Sequence, residues 1–299
     1  MNLDDCRRFY AQEVRFAASI SAPGLVEAFG HVPREKFLGP PPWYLGSPEQ
    51  RALSAAGMVR LSYLDTEDPR DLYHNVVISI DRSRDVNNGQ PSALARWIEM
   101  LDLRPGARVY HLGCGVGYYT AIIAEVVGPG GNVVAVDVIP ELAERAKANL
   151  SSYRNVEVYC ANGAEYDPGE CDAMLINAGV THPQLLWLNR VRLDGRIVVP
   201  ITLASSPSIG QGMMVQLVRE LGGISAQFVS GVAIYSCVGG RNEQLEPLLK
   251  KSLTTGALLR LKSVRTDSHD PVETCLVHGR EICLSSAEIA KASGAAPAD

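Results

Sequence analysis

No apolar run in this sequence reaches the roughly 18 residues that a membrane-spanning helix needs, so no transmembrane segment is expected. The first ten residues, MNLDDCRRFY, are polar and acidic and do not form a secretory leader; the expected compartment is the cytoplasm. Positive charge is not in excess either. Lys and Arg number 28 against 33 Asp and Glu, a net charge of −5, and no basic stripe offsets it, which argues against a nucleic-acid partner. The seven cysteines, Cys6, Cys114, Cys160, Cys171, Cys237, Cys275 and Cys283, include no C-x-x-C pair. An odd number without metal-ligand spacing reads as reduced thiols. His269, between Asp267 and Asp270, has no second ligand group at matching spacing, so a solvated turn and no metal site are expected there. No internal repeat is visible. What remains, 46% hydrophobic and 20% charged, is the composition of a globular chain with an ample core. A length of 299 residues fits one large domain or a domain with an appendage.

The most informative stretch is 109–137, VYHLGCGVGYYTAIIAEVVGPGGNVVAVD. Residues 108–112 are a short β-prone run after the breaker Pro105-Gly106, and they lead into Gly113-Cys114-Gly115-Val116-Gly117. Apolar residues then recur at helical spacing through Val127. The run Gly128-Pro129-Gly130-Gly131 stops that helix, and a buried-type strand over 132–136 carries Asp137 at its tip. Strand, glycine turn, helix, strand and acid form the first unit of a doubly wound α/β sheet, whose ligand crevice lies at the carboxyl ends of the strands. The glycines permit a tight turn and a close-lying ligand, and a carboxylate suits a ribose diol. The spacing G-x-G-x-G, with Tyr118 next, departs from the G-x-G-x-x-G of dinucleotide binders. It suits S-adenosylmethionine, whose amino-acid tail carries no phosphate; the alternative is a tight strand-to-helix turn without a ligand.

Along the rest of the chain, helices are expected at 3–19 and 24–30, an irregular polar stretch at 44–75, a strand at 76–80, a loop at 81–88 and a helix from Gln90-Pro91 to Leu101. After Asp137 come an amphipathic helix at 140–150 and strands at 156–160, 172–178 and 196–200, with a helix at 185–191 before the last. A hairpin of 213–219 and 227–237 adds an antiparallel edge to the parallel sheet. From 241 the character changes: a helix at 242–252, strand-like runs at 258–265 and 274–284, and terminal disorder from Ser293. The expected division is an N-terminal helical and loop segment at 1–75, a Rossmann-like donor-binding core at 76–240 and a small C-terminal extension at 241–299.

The ordered set VPREKFL (32–38), Gln90-Pro91 before a helix, DLRPGARV (102–109), LGCGVGY (112–118), IPELAERA (139–146), NVEV (155–158) and LDGRIVVP (193–200) resembles the protein-L-isoaspartate O-methyltransferase family. The resemblance covers about residues 20–240 and implies a class I methyltransferase fold with S-adenosylmethionine as donor and S-adenosylhomocysteine as product. Carried over residue by residue, it puts Gly113, Cys114, Gly115 and Gly117 against the methionine part, Asp137 on the ribose hydroxyls and Val138 beside the adenine. Asn162-Gly163 stands where the family has Asp-Gly; an Asn amide still bonds an adenine edge, or Asn162 is a turn residue. Asn87, His111, Tyr118 and Asn177 complete the donor-side candidates. Cys114 reads as a space-filler in the turn.

Two departures stand out. The family's Thr-Ile-Ser before the Pro carries a hydroxyl that contacts the substrate carboxyl; here the stretch is Asn87-Asn88-Gly89-Gln90-Pro91, with Gly89 in the Ser position. Asn88 or Gln90 then supplies the orienting donor, or 87–89 is a turn before a helix. Secondly, Tyr110-His111 replaces the acid that precedes the family's glycine turn; His111 either faces the donor's ammonium group or is a packed strand residue. An ionised carboxylate needs no general base to attack a methylsulfonium, only donors that orient it. This agrees with the lack of a Ser-His-Asp set. The expected activity is carboxyl O-methylation of a protein, peptide or small-molecule carboxylate, with Asn88, Gly89 and Gln90 facing the substrate. The competing expectations are a methyltransferase for a small metabolite or modified peptide without isoaspartyl activity, and a non-catalytic donor-binding module.

Overall fold

The computed structural model describes residues 2–47, 50, 58, 62–206 and 208–289; the disorder expected from Ser293 lies outside them. The chain forms two compact units, residues 1–161 and 162–299.

In the first unit, the helix Leu3–Ala18 starts at Asn2, whose side chain accepts from the Asp5 amide, and stops at Ser19 in a left-handed conformation. The helices Pro23–His31, Pro91–Glu99 and Pro140–Asn149 each begin with proline, where a missing N–H costs nothing. A small antiparallel sheet takes β1 (Trp43–Gly46), β2 (Leu64–Thr66), β3 (Val77–Asp81) and β4 (Val86–Asn87) in the order β2-β1-β3-β4. It closes on Leu38, Trp43, Leu45, Leu72 and Ile78. Three parallel strands, β5 (Arg108–Leu112), β6 (Asn132–Asp137) and β7 (Val156–Cys160), lie side by side, with His111 opposite Ala135 and Asp137 opposite Cys160. The helix Tyr118–Val127 between β5 and β6 is buried along nearly its whole length, as an apolar-all-round helix must be.

In the second unit, β8 (Cys171–Ile176) runs parallel to β9 (Val191–Ala204). Strands β9, β10 (Ile209–Glu220) and β11 (Gly223–Tyr235) form a long antiparallel meander. Residues beyond 241 give the helix Glu246–Thr254 and three short strands, β12 (Ser263–Arg265), β13 (Cys275–His278) and β14 (Cys283–Ser285), which continue the sheet in the order β11-β12-β14-β13. The α/β class with a parallel sheet and an antiparallel edge is as expected from the sequence.

Several local expectations change. Strand β9 runs well past 196–200 because its ladder with β10 continues to Ala204. The described part of 44–75, expected to be irregular, contains most of β1 and all of β2, and the expected loop 81–88 contains β4; these strands are too short to show period-two patterning. Residues Ala257–Arg260 form a 3-10 turn rather than a strand, leaving only Ser263–Arg265 extended. Among the described residues, no helix is long and apolar enough to cross a membrane.

Candidate active site

The turn after β5 uses left-handed backbone at Gly113, Gly115 and Gly117, with φ of 74°, 57° and 91°. Two of these glycines have different causes. At Gly117 a Cβ would stand 2.7 Å from Leu150 Cδ1, so the missing side chain lets the helix Pro140–Asn149 pack against the turn. At Gly115 a Cβ would meet nothing within 4 Å, so the space above it is open. Asp137, at the end of β6, folds over this turn. Its Oδ2 accepts from the Gly115 amide (2.8 Å) and its Oδ1 from the Ile139 amide (3.0 Å). Each oxygen keeps a second lone pair for another donor. Burial raises the Asp137 carboxyl above its ordinary value, against the lowering effect of the Ile139, Gly115 and Val138 amides. Val138, the next residue, is 44% exposed and offers an apolar surface beside the acid. Open space over Gly115, an acid with spare acceptor capacity and an exposed apolar neighbour are what a nucleoside with an amino-acid tail requires.

Two donor-side candidates are core residues. His111 is fully buried and its Nδ1 lies 2.9 Å from Thr120 Oγ1; burial drives its pKa down to about 3. It is therefore a neutral, packed strand residue, the second of the two roles open to it. Since the unfolded imidazole titrates near 6.5, the unfolded chain takes up a proton that the native chain refuses. Stability should be complete above pH about 6.5 and fall toward pH 3, by up to about 1.4 kcal/mol per pH unit. Urea melts across that range check this, and His111→Gln is expected to flatten the slope. Tyr118 corrects a second expectation. Its hydroxyl meets Tyr10 Oη at 3.4 Å and its ring packs edge-on against Phe37, so it builds the core and does not face a donor. Cys114 is buried, and burial holds its thiol well above the ordinary value, as a space-filler should be.

The loop 87–92, expected to face the substrate, rests on a residue that the resemblance flagged only as part of a motif. Arg34 is fully buried and donates to three carbonyls, Leu72 (2.6 Å), His74 (3.1 Å) and Val76 (2.8 Å), and to Asn88 Oδ1 (3.4 Å). Its guanidinium lies over the rings of Tyr10 and Tyr118. Asn88 Oδ1 also accepts from the Ile78 amide at 2.9 Å, which fixes the loop to β3, while its buried Nδ2 has no partner among the described residues. Asn87 Oδ1 accepts from the Gly89 amide (2.9 Å), and Gln90 Nε2 donates to Ser92 Oγ (3.2 Å). Tyr119 donates to the Gly89 carbonyl at 3.3 Å. It therefore joins this loop to the helix that leaves the glycine turn, a role the sequence did not single out. Ser79, opposite Asn87 across β3 and β4, has a buried hydroxyl without a partner among the described residues. It too was missed, because a serine within an apolar strand carries no pattern.

Gly89 itself has φ of 76°, and a Cβ there would stand 2.7 Å from Leu94 Cδ2. A serine at this position would be strained by the left-handed backbone and would crowd Leu94. Gly89→Ser should destabilise the fold by about 2 kcal/mol, from left-handed strain plus overlap with Leu94, and should not raise methyl transfer. Equilibrium unfolding and an activity assay on the same preparation check both parts.

In the second unit, Asn162 Oδ1 accepts from the Ala164 amide at 3.1 Å and its carbonyl accepts from Glu165 and Tyr166. Its amide nitrogen is left for other contacts. The Gly163 carbonyl takes the Trp187 indole N–H at 3.2 Å, and Asn177 follows the end of β8. This unit also contains a cavity of about 660 Å³ with His182, Gln184, Asn242, Gln244, His278 and Arg280 in its wall.

The protein-L-isoaspartate(D-aspartate) O-methyltransferase (PCMT) family profile matches residues 49–240. The protein-L-isoaspartate O-methyltransferase 1 of Archaeoglobus fulgidus is 34% identical over 205 residues, 67% of this chain and 82% of that protein. The Aeropyrum pernix protein-L-isoaspartate O-methyltransferase is 31% identical, over 66% of this chain and 67% of its own length. A solved protein-L-isoaspartate O-methyltransferase superimposes with a TM-score of 0.62 at 22% identity, over 82% of this chain and 69% of that one. A Plasmodium falciparum beta-aspartate methyltransferase (PCMT) in complex with S-adenosyl-L-homocysteine gives 0.57 at 14% identity, over 78% and 98%. These two share the fold. The chain belongs to the protein-L-isoaspartate(D-aspartate) O-methyltransferase family and is an S-adenosylmethionine-dependent methyltransferase.

Proposed function

We propose that the protein transfers a methyl group to a carboxylate oxygen of a protein or peptide, with an isoaspartyl residue as the first acceptor to try. The observation that carries the donor side is Asp137, held over the open face of Gly115 by two backbone amides. Its spare lone pairs hold the ribose hydroxyls, Val138 covers the adenine, and the bare backbone of Gly115 lets the methionine part lie in contact. S-adenosylmethionine, when bound, supplies an electrophilic methyl on sulfur. The loop 87–92 orients the attacking carboxylate through its polar side chains, and the buried Asn88 Nδ2 and Ser79 Oγ are donors in reserve. No proton needs removal, since an ionised carboxylate attacks directly; the task is alignment and exclusion of water. The span 76–240 is assigned to this chemistry.

Radiolabelled methyl transfer to an isoaspartyl peptide, released as methanol by mild base, is the expected result. A second reading keeps the donor and changes the acceptor to a modified peptide or small carboxylate. Gly89 favours it, because the family's serine would be strained on this left-handed backbone. Donor binding without isoaspartyl methylation would select this reading, and turnover with any acceptor would eliminate a non-catalytic donor-binding module.

A further inference from the structure

The C-terminal extension brings together four side chains whose spacing gave no sign of a site. His269, Cys275, His278 and Cys283 each place one ligand atom within 4.8 Å of the others. Zinc bonds thiolate sulfur at about 2.3 Å and imidazole nitrogen at about 2.0 Å, so neighbouring ligand atoms of a tetrahedral site stand about 3.3–3.8 Å apart. His269 Nε2 and Cys275 Sγ are already 3.6 Å apart. The widest pair exceeds a tetrahedral edge by about an ångström, which small side-chain rotations close.

Two histidine details point the same way. His269 donates from Nδ1 to the Asp267 carbonyl at 2.9 Å, with the Asp267 carboxylate 3.4 Å away. This leaves the lone pair on Nε2, toward the cysteine, and reproduces the outer partner that ligating histidines usually have. His278 Nδ1 is buried without a hydrogen-bond partner among the described residues, a cost that a native fold normally avoids.

The backbone explains the convergence. In a regular strand, Cys275 and His278 are three residues apart and face opposite sides. Here His278 pairs with Cys283 and Cys275 with Ser285, with a bulge between Cys275 and Val277. The extra residue, Leu276, brings Cys275 round to the face shared by His278 and Cys283. His269 then arrives from the irregular segment 266–274. Strands of three or four residues are short to hold such a segment alone.

We propose that His269, Cys275, His278 and Cys283 form a structural zinc site of Cys2His2 type, which pins the segment carrying His269 onto the β13–β14 hairpin. Two soft thiolates and two imidazoles select zinc over magnesium or calcium, and four protein ligands leave no open position for catalysis. Binding releases the two thiol protons to solvent. The site stands on the second unit alone and is independent of the acceptor.

The full chain, purified without a histidine tag under reducing conditions, is expected to carry about one equivalent of zinc by plasma mass spectrometry. Cobalt exchanged into it should show the visible bands of a tetrahedral ion and a thiolate charge-transfer band. Separate Cys283→Ser and His269→Ala variants should each lose the metal, while S-adenosylhomocysteine binding shows that the donor site is still folded. If Cys283→Ser aggregates, the exposed-side ligand variant His269→Ala decides. Zinc below about a tenth of an equivalent after incubation with zinc, a Cys275–Cys283 disulfide that persists through the reducing purification, or metal retained by both variants would overturn the assignment.

Discussion

Arg34→Ala should cost about 3–5 kcal/mol, the largest single-residue loss expected outside the hydrophobic core. Three carbonyls, the buried one of Leu72 and the partly buried ones of His74 and Val76, would lose a charged donor together, and Asn88 would lose one of its two anchors. Set against a typical total of about 5–15 kcal/mol, a loss of that size is about a fifth of the stability or more. The urea midpoint should drop sharply at unchanged slope, because the same surface is exposed on unfolding. Arg34→Lys should recover only part, since an ammonium cannot span carbonyls placed for a planar fork. A drop of under about 1 kcal/mol for the alanine variant would mean that water replaces the guanidinium and that the clamp is dispensable.

Asp137→Asn should weaken S-adenosylhomocysteine binding by about 3 kcal/mol, roughly a hundredfold in Kd. The amide has one acceptor oxygen where the carboxylate has two, and its NH2 would face the backbone amide of Gly115 or Ile139. Titration calorimetry checks the affinity, and thermal melts separate lost contacts from lost fold. The pH dependence follows from the same carboxyl. Ribose hydroxyls donate to the ionised form, and burial raises Asp137 above the usual aspartate value of about 3.9. Donor affinity should therefore fall with decreasing pH, beginning above the range where an exposed aspartate titrates. A Kd that Asp137→Asn leaves unchanged would remove this residue from the site.

The local geometry of the candidate donor turn was legible in the sequence because its logic is local. Glycines at 113, 115 and 117 and an acid at the end of the next strand follow one another within 25 positions, and the backbone uses them as the pattern implies. What escaped depends on residues far apart in the chain. Arg34 and Asn88, or Tyr119 and Gly89, acquire their roles only when helices and sheet are packed. Tyr118 looked available because it flanks the glycine turn, and His111 was open between the donor and the core; strand and helix direct both inward. Gly89 looked like a deleted hydroxyl; its positive φ and the overlap that a Cβ would make with Leu94 show a backbone that favours glycine. In the extension, the two-residue period of a strand hid a shared face that one inserted residue creates.

That inserted residue also bears on how the protein behaves in a crowd. Strand β13 is outermost in the second unit's sheet, and an uninterrupted outermost strand is a template on which another polypeptide can crystallise its own backbone. The kink at Leu276 breaks the regular row of amides and carbonyls that such growth requires. The sheet thus ends in a strand that a second copy cannot readily prolong, which protects this edge against the addition of a further strand.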